Sequence, residues 1–72
     1  MNFSKNIRSL RKSKNMTLEE LGEVLGKRKS TLSNWENGHR TPKLNELPAI
    51  ADYFGVTVGQ LIDEEGDNEH LR

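Results

Sequence analysis

Glycine stands at positions 26, 38 and 55, each time just after a run of apolar residues at helical spacing. Glycine there accepts the left-handed conformation in which helices commonly end. The chain is thereby cut into helices too short to be stable alone. Each must bury its apolar stripe against the others. The pattern predicts five short helices around one core.

The helices can be placed by their caps. Phe3, Ile7 and Leu10 mark one face of a first helix. Thr17 and Glu20 form a capping box that starts the second, with Met16 and Leu21 as its staple. Leu21, Val24 and Leu25 are its expected buried stripe. The third runs from about Arg28 to Glu36, with Leu32 and Trp35 inward. Asn37-Gly38 stops it, and residues 39–43 read as loop. Asn45 is the expected N-cap of the fourth, which places Pro48 in its first turn, where the missing N–H is harmless. Leu47, Ile50, Ala51 and Phe54 form its apolar face. Thr57 and Gln60 make a second capping box, stapled by Val56 and Leu61, for a fifth helix over about Val58 to Asp63. Glu64 to Arg72 is acidic, polar and without period, as expected of a tail or the start of a linker.

Composition narrows the classes. With 72 residues the chain holds one small domain. Without cysteine it has no disulfide or thiolate metal site. No apolar run approaches 18 residues and no signal-peptide core opens the chain, so a cytoplasmic protein away from membranes is expected. His39 and His70 stand in a loop and in the tail, with no nucleophile–base pair or metal cluster at a usable spacing. No enzyme, metal or cofactor is expected.

Formal net charge is zero, but the charge is divided. From Met1 to Lys43 ten Lys/Arg stand against four Asp/Glu, a balance of +6; from Leu44 to Arg72 one base stands against seven acids, a balance of −6. A basic face for phosphate with an acidic far end gives this pattern, and so does ordinary solvated charge.

The second and third helices are joined by a tight turn at Gly26. A DNA-binding helix-turn-helix needs such a turn. It also needs a small residue inside the first helix, here Gly22, and an inward aliphatic in the middle of the second, here Leu32. Thr17-Leu-Glu-Glu-Leu-Gly-Glu-Val-Leu-Gly26, Lys29-Ser-Thr-Leu-Ser-Asn-Trp-Glu-Asn-Gly38 and Arg40-Thr-Pro42 together resemble the Cro/phage-repressor (Xre-like) helix-turn-helix family. Leu47-Pro-Ala-Ile-Ala-Asp-Tyr-Phe-Gly-Val56 and Leu61-Ile62 resemble its fourth and fifth helices. The resemblance covers about residues 3–63. It implies an all-α, lambda-repressor-like domain over residues 1–63 that binds double-stranded operator DNA, usually as a dimer.

The same resemblance implies base reading by Lys29, Ser30, Ser33 and Asn34. Lysine can donate to guanine, asparagine can pair with adenine, and serine is permissive. Backbone contacts are expected from Arg28, Thr31, Asn37, His39, Arg40 and Lys43, which fix register rather than read sequence. Arg11 and Glu36 are expected to pair and anchor the third helix, while Trp35 is core. Three positions depart from the family pattern. Leu18 replaces a frequent Gln. Lys27 replaces a buried aliphatic, with its stem over the core and its amine toward solvent or DNA. Arg28 replaces a capping residue, at a cost of about 1 kcal/mol.

The expected assembly is a homodimer, weak without DNA, that meets through Val58 and Leu61 and reads an inverted repeat. A protein-interaction module or an antitoxin on the same fold is the alternative. A phage regulator, a chromosomal repressor and an antitoxin share these features.

Overall fold

The computed structural model describes residues 2–63 of the 72. The acidic stretch 64–72 lies outside the described residues. Five α-helices follow in order: α1 (Phe3–Ser13), α2 (Leu18–Leu25), α3 (Lys29–Glu36), α4 (Leu47–Phe54) and α5 (Val58–Ile62). A 3-10 turn, Leu44–Glu46, leads into α4. No strand occurs among the described residues.

Local chemistry sets the helix ends. Thr17 Oγ1 accepts from the Glu20 amide and Glu20 Oε1 accepts from the Thr17 amide, at 3.0 and 2.8 Å. Thr57 and Gln60 repeat the box for α5. Gly26 closes α2 in the left-handed region, φ 71° and ψ 32°, where a side chain would be strained.

The core gathers Phe3 and Ile7 of α1, Leu21 of α2, Leu32 and Trp35 of α3, Leu47, Ile50 and Ala51 of α4, and Leu61 of α5. Phe3 meets Trp35 edge-to-face with ring centroids 5.7 Å apart. Such a pair adds to what burial alone contributes. Asn6 ties the ends of the chain together. Its Nδ2 donates to the carbonyls of Gln60, Leu61 and Asp63 at 3.2, 2.8 and 2.9 Å, so one α1 side chain caps the end of α5.

Three expectations need correction. Val24 is not buried: it is 49% exposed, and Leu18 takes its place against the core. The inner stripe of α2 is therefore Leu18, Leu21, Gly22 and Leu25, because the close packing at Gly22 draws that side inward. Asn45 is not an N-cap: it lies within the 3-10 turn, and Glu46 occupies the position before α4 without a side-chain cap bond. Leu61 cannot serve a dimer contact, because it is fully buried under α1 and α4 and has no surface to offer. Val58 is half-buried against the same core.

Candidate nucleic-acid interface

The turn between α2 and α3 is held close. The Lys27 amide donates to the Gly22 carbonyl at 2.8 Å. A methyl group on Gly22 would lie 2.6 Å from the Lys27 carbonyl oxygen, so only glycine permits this approach. Arg28 follows in extended conformation, φ −82° and ψ 156°, and its carbonyl accepts the first bonds of α3 from Thr31 and Leu32. Its side chain makes no cap bond and is exposed.

Leu32, Trp35 and Glu36 bury the inner side of α3. Lys29 and Ser30 are exposed at its leading end, with Ser33 and Asn34 half-buried further along. The side chains of Lys29, Ser30 and Asn34 have no hydrogen-bond partner among the described residues. Ser33 does have one: its Oγ accepts from Asn37 Nδ2 at 3.4 Å.

The loop behind α3 is fixed by backbone groups. The Asn34 carbonyl accepts the amides of His39 and Arg40, at 2.9 and 3.3 Å. Pro42 is buried, while His39, Arg40, Thr41 and Lys43 are exposed. Thr31, Asn34, Arg40 and Lys43 line a polar groove of about 370 Å³ between helix and loop. Arg40 and Lys43 thus share one open furrow with the Thr31 hydroxyl, the Asn34 carboxamide and, at one end, the Glu46 carboxylate.

Lys27 closes the end of this groove. Its amine, on a side chain 33% exposed, pairs with Glu46 Oε2 at 2.5 Å, a partner that the sequence does not indicate. Glu46 Oε1 also accepts from the Lys43 amide at 3.1 Å. Bonding to Lys27, and next to the Lys43 amide, holds the Glu46 carboxyl below its ordinary value of 4.5. Glu46 thus ties the turn before α3 to the loop after it.

Beneath α3 lies a second network. Glu36 is 8% exposed and faces two arginines of α1. Arg11 pairs with it at two points and donates to the Met16 carbonyl at 2.7 Å. Arg8 Nε lies 3.4 Å from Glu36 Oε1, and its Nη2 reaches Asn37 Oδ1 at 3.4 Å. Asn37 is therefore engaged at the end of α3. Sequence gives no sign of the roles of Asn6 and Arg8, or of the Lys27 contact of Glu46, because each partner lies far along the chain.

A shallow apolar groove of about 320 Å³ lies between α2 and α4, lined by Val24, Ala49 and Tyr53 among others. Among the described residues no group of three or more His, Cys, Asp or Glu could hold a metal ion, and no helix is long and apolar enough to cross a membrane.

Two helices joined at a left-handed glycine, the second with an outward polar face beside a cationic loop, define a helix-turn-helix domain of the lambda-repressor type. The chain belongs to the helix-turn-helix family, whose model matches residues 7–61. It is similar to the HTH-type transcriptional activator BcrR of Enterococcus faecalis, with 35% identity over 90% of this chain and 32% of the relative. It is also similar to the HTH-type transcriptional regulator AnsR of Bacillus subtilis (strain 168), with 41% identity over 78% of this chain and 48% of the relative. The cryptic phage CTXphi transcriptional repressor RstR of Vibrio cholerae matches at 32% identity over 92% of this chain and 60% of the relative. The chain thus spans between about a third and three fifths of these relatives' lengths. Antitoxin PezA of Streptococcus pneumoniae serotype 4 is 31% identical over 88% of this chain and 40% of the relative. Among solved structures, Fe(II)-HppE with alternative substrate (S)-1-HPP superposes with a TM-score of 0.75 at 30% identity. That match covers 83% of this chain and 31% of the other.

Proposed function

We propose that this domain reads an inverted-repeat operator in the major groove of double-stranded DNA, as a homodimer, and that it represses transcription in the bacterial cytoplasm. One observation carries the reading: the side chains of Lys29, Ser30 and Asn34 stand on the outer side of α3 with no hydrogen-bond partner among the described residues, beside a loop that exposes Arg40 and Lys43. Lys29 donates to guanine O6/N7 and Asn34 pairs with adenine, with Ser30 and Ser33 between them. Arg28, Thr31, Asn37, His39, Arg40 and Lys43 hold phosphates on either side. A phosphate beside Arg28 offsets the missing cap of α3.

One copy offers only four base-reading side chains. Two copies related by a two-fold axis, with recognition helices about 34–36 Å apart, double the site read. Val58 of α5 is the half-buried apolar residue assigned to the contact between copies. The similarity to Antitoxin PezA supports a second reading, in which the same DNA-binding domain serves an antitoxin.

The test is fluorescence anisotropy on random-sequence duplex at two salt concentrations, followed by selection of preferred sites. Salt-sensitive binding and an enriched inverted repeat that saturates at two chains are expected. Asn34→Ala should relax selection at one base pair per half-site, a loss of about 1–3 kcal/mol of discrimination. Absence of binding to any duplex at low salt would overturn the reading.

A further inference from the structure

Three consecutive cations, Lys27, Arg28 and Lys29, lead into α3, and they are not alike. The Arg28 and Lys29 side chains are exposed and have no ion-pair partner among the described residues. The Lys27 amine is paired with Glu46 Oε2 at 2.5 Å. Both members of the pair line the polar groove beside α3, together with Thr31, Asn34, Arg40 and Lys43. A groove with three cations therefore holds one carboxylate, and that carboxylate sits on Lys27. For a phosphate, Glu46 carries the wrong charge.

Glu46 is held where it stands. Its Oε1 accepts from the Lys43 amide at 3.1 Å, and its own amide donates to the Lys43 carbonyl at 2.9 Å. Swinging the carboxylate out of the groove would give up this cap as well as the ion pair. The cap itself needs no charge. Gln60 fills the equivalent place beside Thr57, where its neutral Oε1 accepts from the Thr57 amide at 2.9 Å. The charge at position 46 thus acts on Lys27 rather than on the turn. It is present near neutral pH, since the bond to Lys27 holds the carboxyl below 4.5.

We propose that Glu46 withholds Lys27 from the DNA backbone, so that the groove grips phosphate with Arg40 and Lys43 alone; this rests on the DNA reading above. A phosphate that took the Lys27 amine would break the pair and face the Glu46 carboxylate at close range, like charge on like. Glu46 thereby removes one cation from the count that sets affinity for any duplex. It lowers binding to all sequences alike and leaves base reading to Lys29, Ser30 and Asn34.

Anisotropy titrations on random-sequence duplex, from about 50 to 200 mM salt, test this. The proteins are wild type, Glu46→Gln, Lys27→Met and the double variant, each shown to be folded by a thermal melt. Glu46→Gln keeps the acceptor for the Lys43 amide and frees Lys27. Its slope of log K against log salt should steepen by about 0.9 for each bound copy, so affinity should fall roughly 3.5-fold further than wild type across that range. Affinity at low salt should rise, and site selection should return the wild-type sequence profile. The same change made in the Lys27→Met background should add nothing, because no cation is there to release. An equal increment in both backgrounds would show that Glu46 acts on the groove as a whole and not through Lys27. No increment in either would show that Lys27 stands clear of the backbone or reaches it already. Each of these overturns the proposal and leaves DNA reading in place. If wild type binds no duplex even at low salt, the DNA reading falls as well.

Discussion

Arg11 and Glu36 meet across the seam between α1 and α3 in a two-point pairing, with Nε 2.6 Å from Oε2 and Nη2 3.0 Å from Oε1. The bond to Glu36 raises the Arg11 pKa above its ordinary value, more than burial lowers it. The Glu36 side chain is 4% exposed, so its charge has little water to turn to if its partner is lost. Removing one member of such a pair leaves an uncompensated buried charge.

Arg11→Met should therefore cost about 3 kcal/mol in urea unfolding. Part of the loss should return in Arg11→Met with Glu36→Leu, because the stranded carboxylate is gone. Arg8→Leu should cost about 1 kcal/mol or less, since that side chain is 48% exposed. Equal losses for Arg11→Met and Arg8→Leu would show that Arg11 is not the principal anchor.

Two glycines in helices should respond with opposite sign to the same change. Alanine at position 22 meets the Lys27 carbonyl at 2.6 Å, and backbone cannot swing aside as a side chain can. The intrinsic gain of about 1 kcal/mol for alanine in a helix is then exceeded by strain of roughly 1–3 kcal/mol. Alanine at position 59 meets nothing closer than Thr57 Oγ1 at 3.7 Å, an ordinary contact. Gly59→Ala should raise the melting temperature and Gly22→Ala should lower it. A stabilised Gly22→Ala would mean that α2 and α3 can separate slightly at no cost.

Much of this was legible because it is local. A capping box spans three residues, and Thr17–Glu20 and Thr57–Gln60 announce themselves in any window. Gly22, Gly26 and Leu32 fix the turn by spacing alone, in keeping with the family to which the chain belongs. The inner stripe of α2 was less legible. Leu18, Leu21, Val24 and Leu25 fit two overlapping faces of an eight-residue helix, and only α3 packing on Gly22 chooses between them. Asn6 and Arg8 are polar residues in a basic helix, indistinguishable by sequence from solvated ones. Their partners lie 28 to 57 residues away. The partner of the Lys27 amine is hidden for the same reason, since nothing nearby in sequence marks Glu46.

Glu46 supplies a pH test. Its carboxyl is held below 4.5 in the folded domain, chiefly by the bond to Lys27. A lowered carboxyl pKa stabilises the fold above the unfolded value, and the contribution is lost as pH falls through the folded one. Glu46→Gln lacks the contribution at every pH. The difference in melting temperature between wild type and Glu46→Gln should be constant near neutrality and close as pH drops below about 4.5. A gap that does not narrow at all on acidification would place the stabilisation in packing rather than charge.

The loop after α3 permits a clean separation of charge from shape. Lys43 is tied to Glu46 through its backbone amide, and Arg40 to Asn34 through its own. Pro42 is buried between them. Truncating Arg40 or Lys43 to alanine therefore removes a cation without releasing the loop. A side chain that neutralises a phosphate contributes about 0.9 to the slope of log K against log salt. In the proposed assembly, with two copies on one operator, each residue acts twice, so Arg40→Ala should flatten the slope by about 1.8. Lys43→Ala should do the same, and neither should alter the preferred sequence, because phosphates carry no base identity. Asn34→Ala should behave in the opposite way, with an unchanged slope and an altered sequence profile. Titration of operator duplex at several salt concentrations with each variant gives both quantities. Slopes equal to wild type for both loop variants would show that Arg40 and Lys43 stand clear of the backbone, and would leave the polar groove beside α3 without a role in holding DNA.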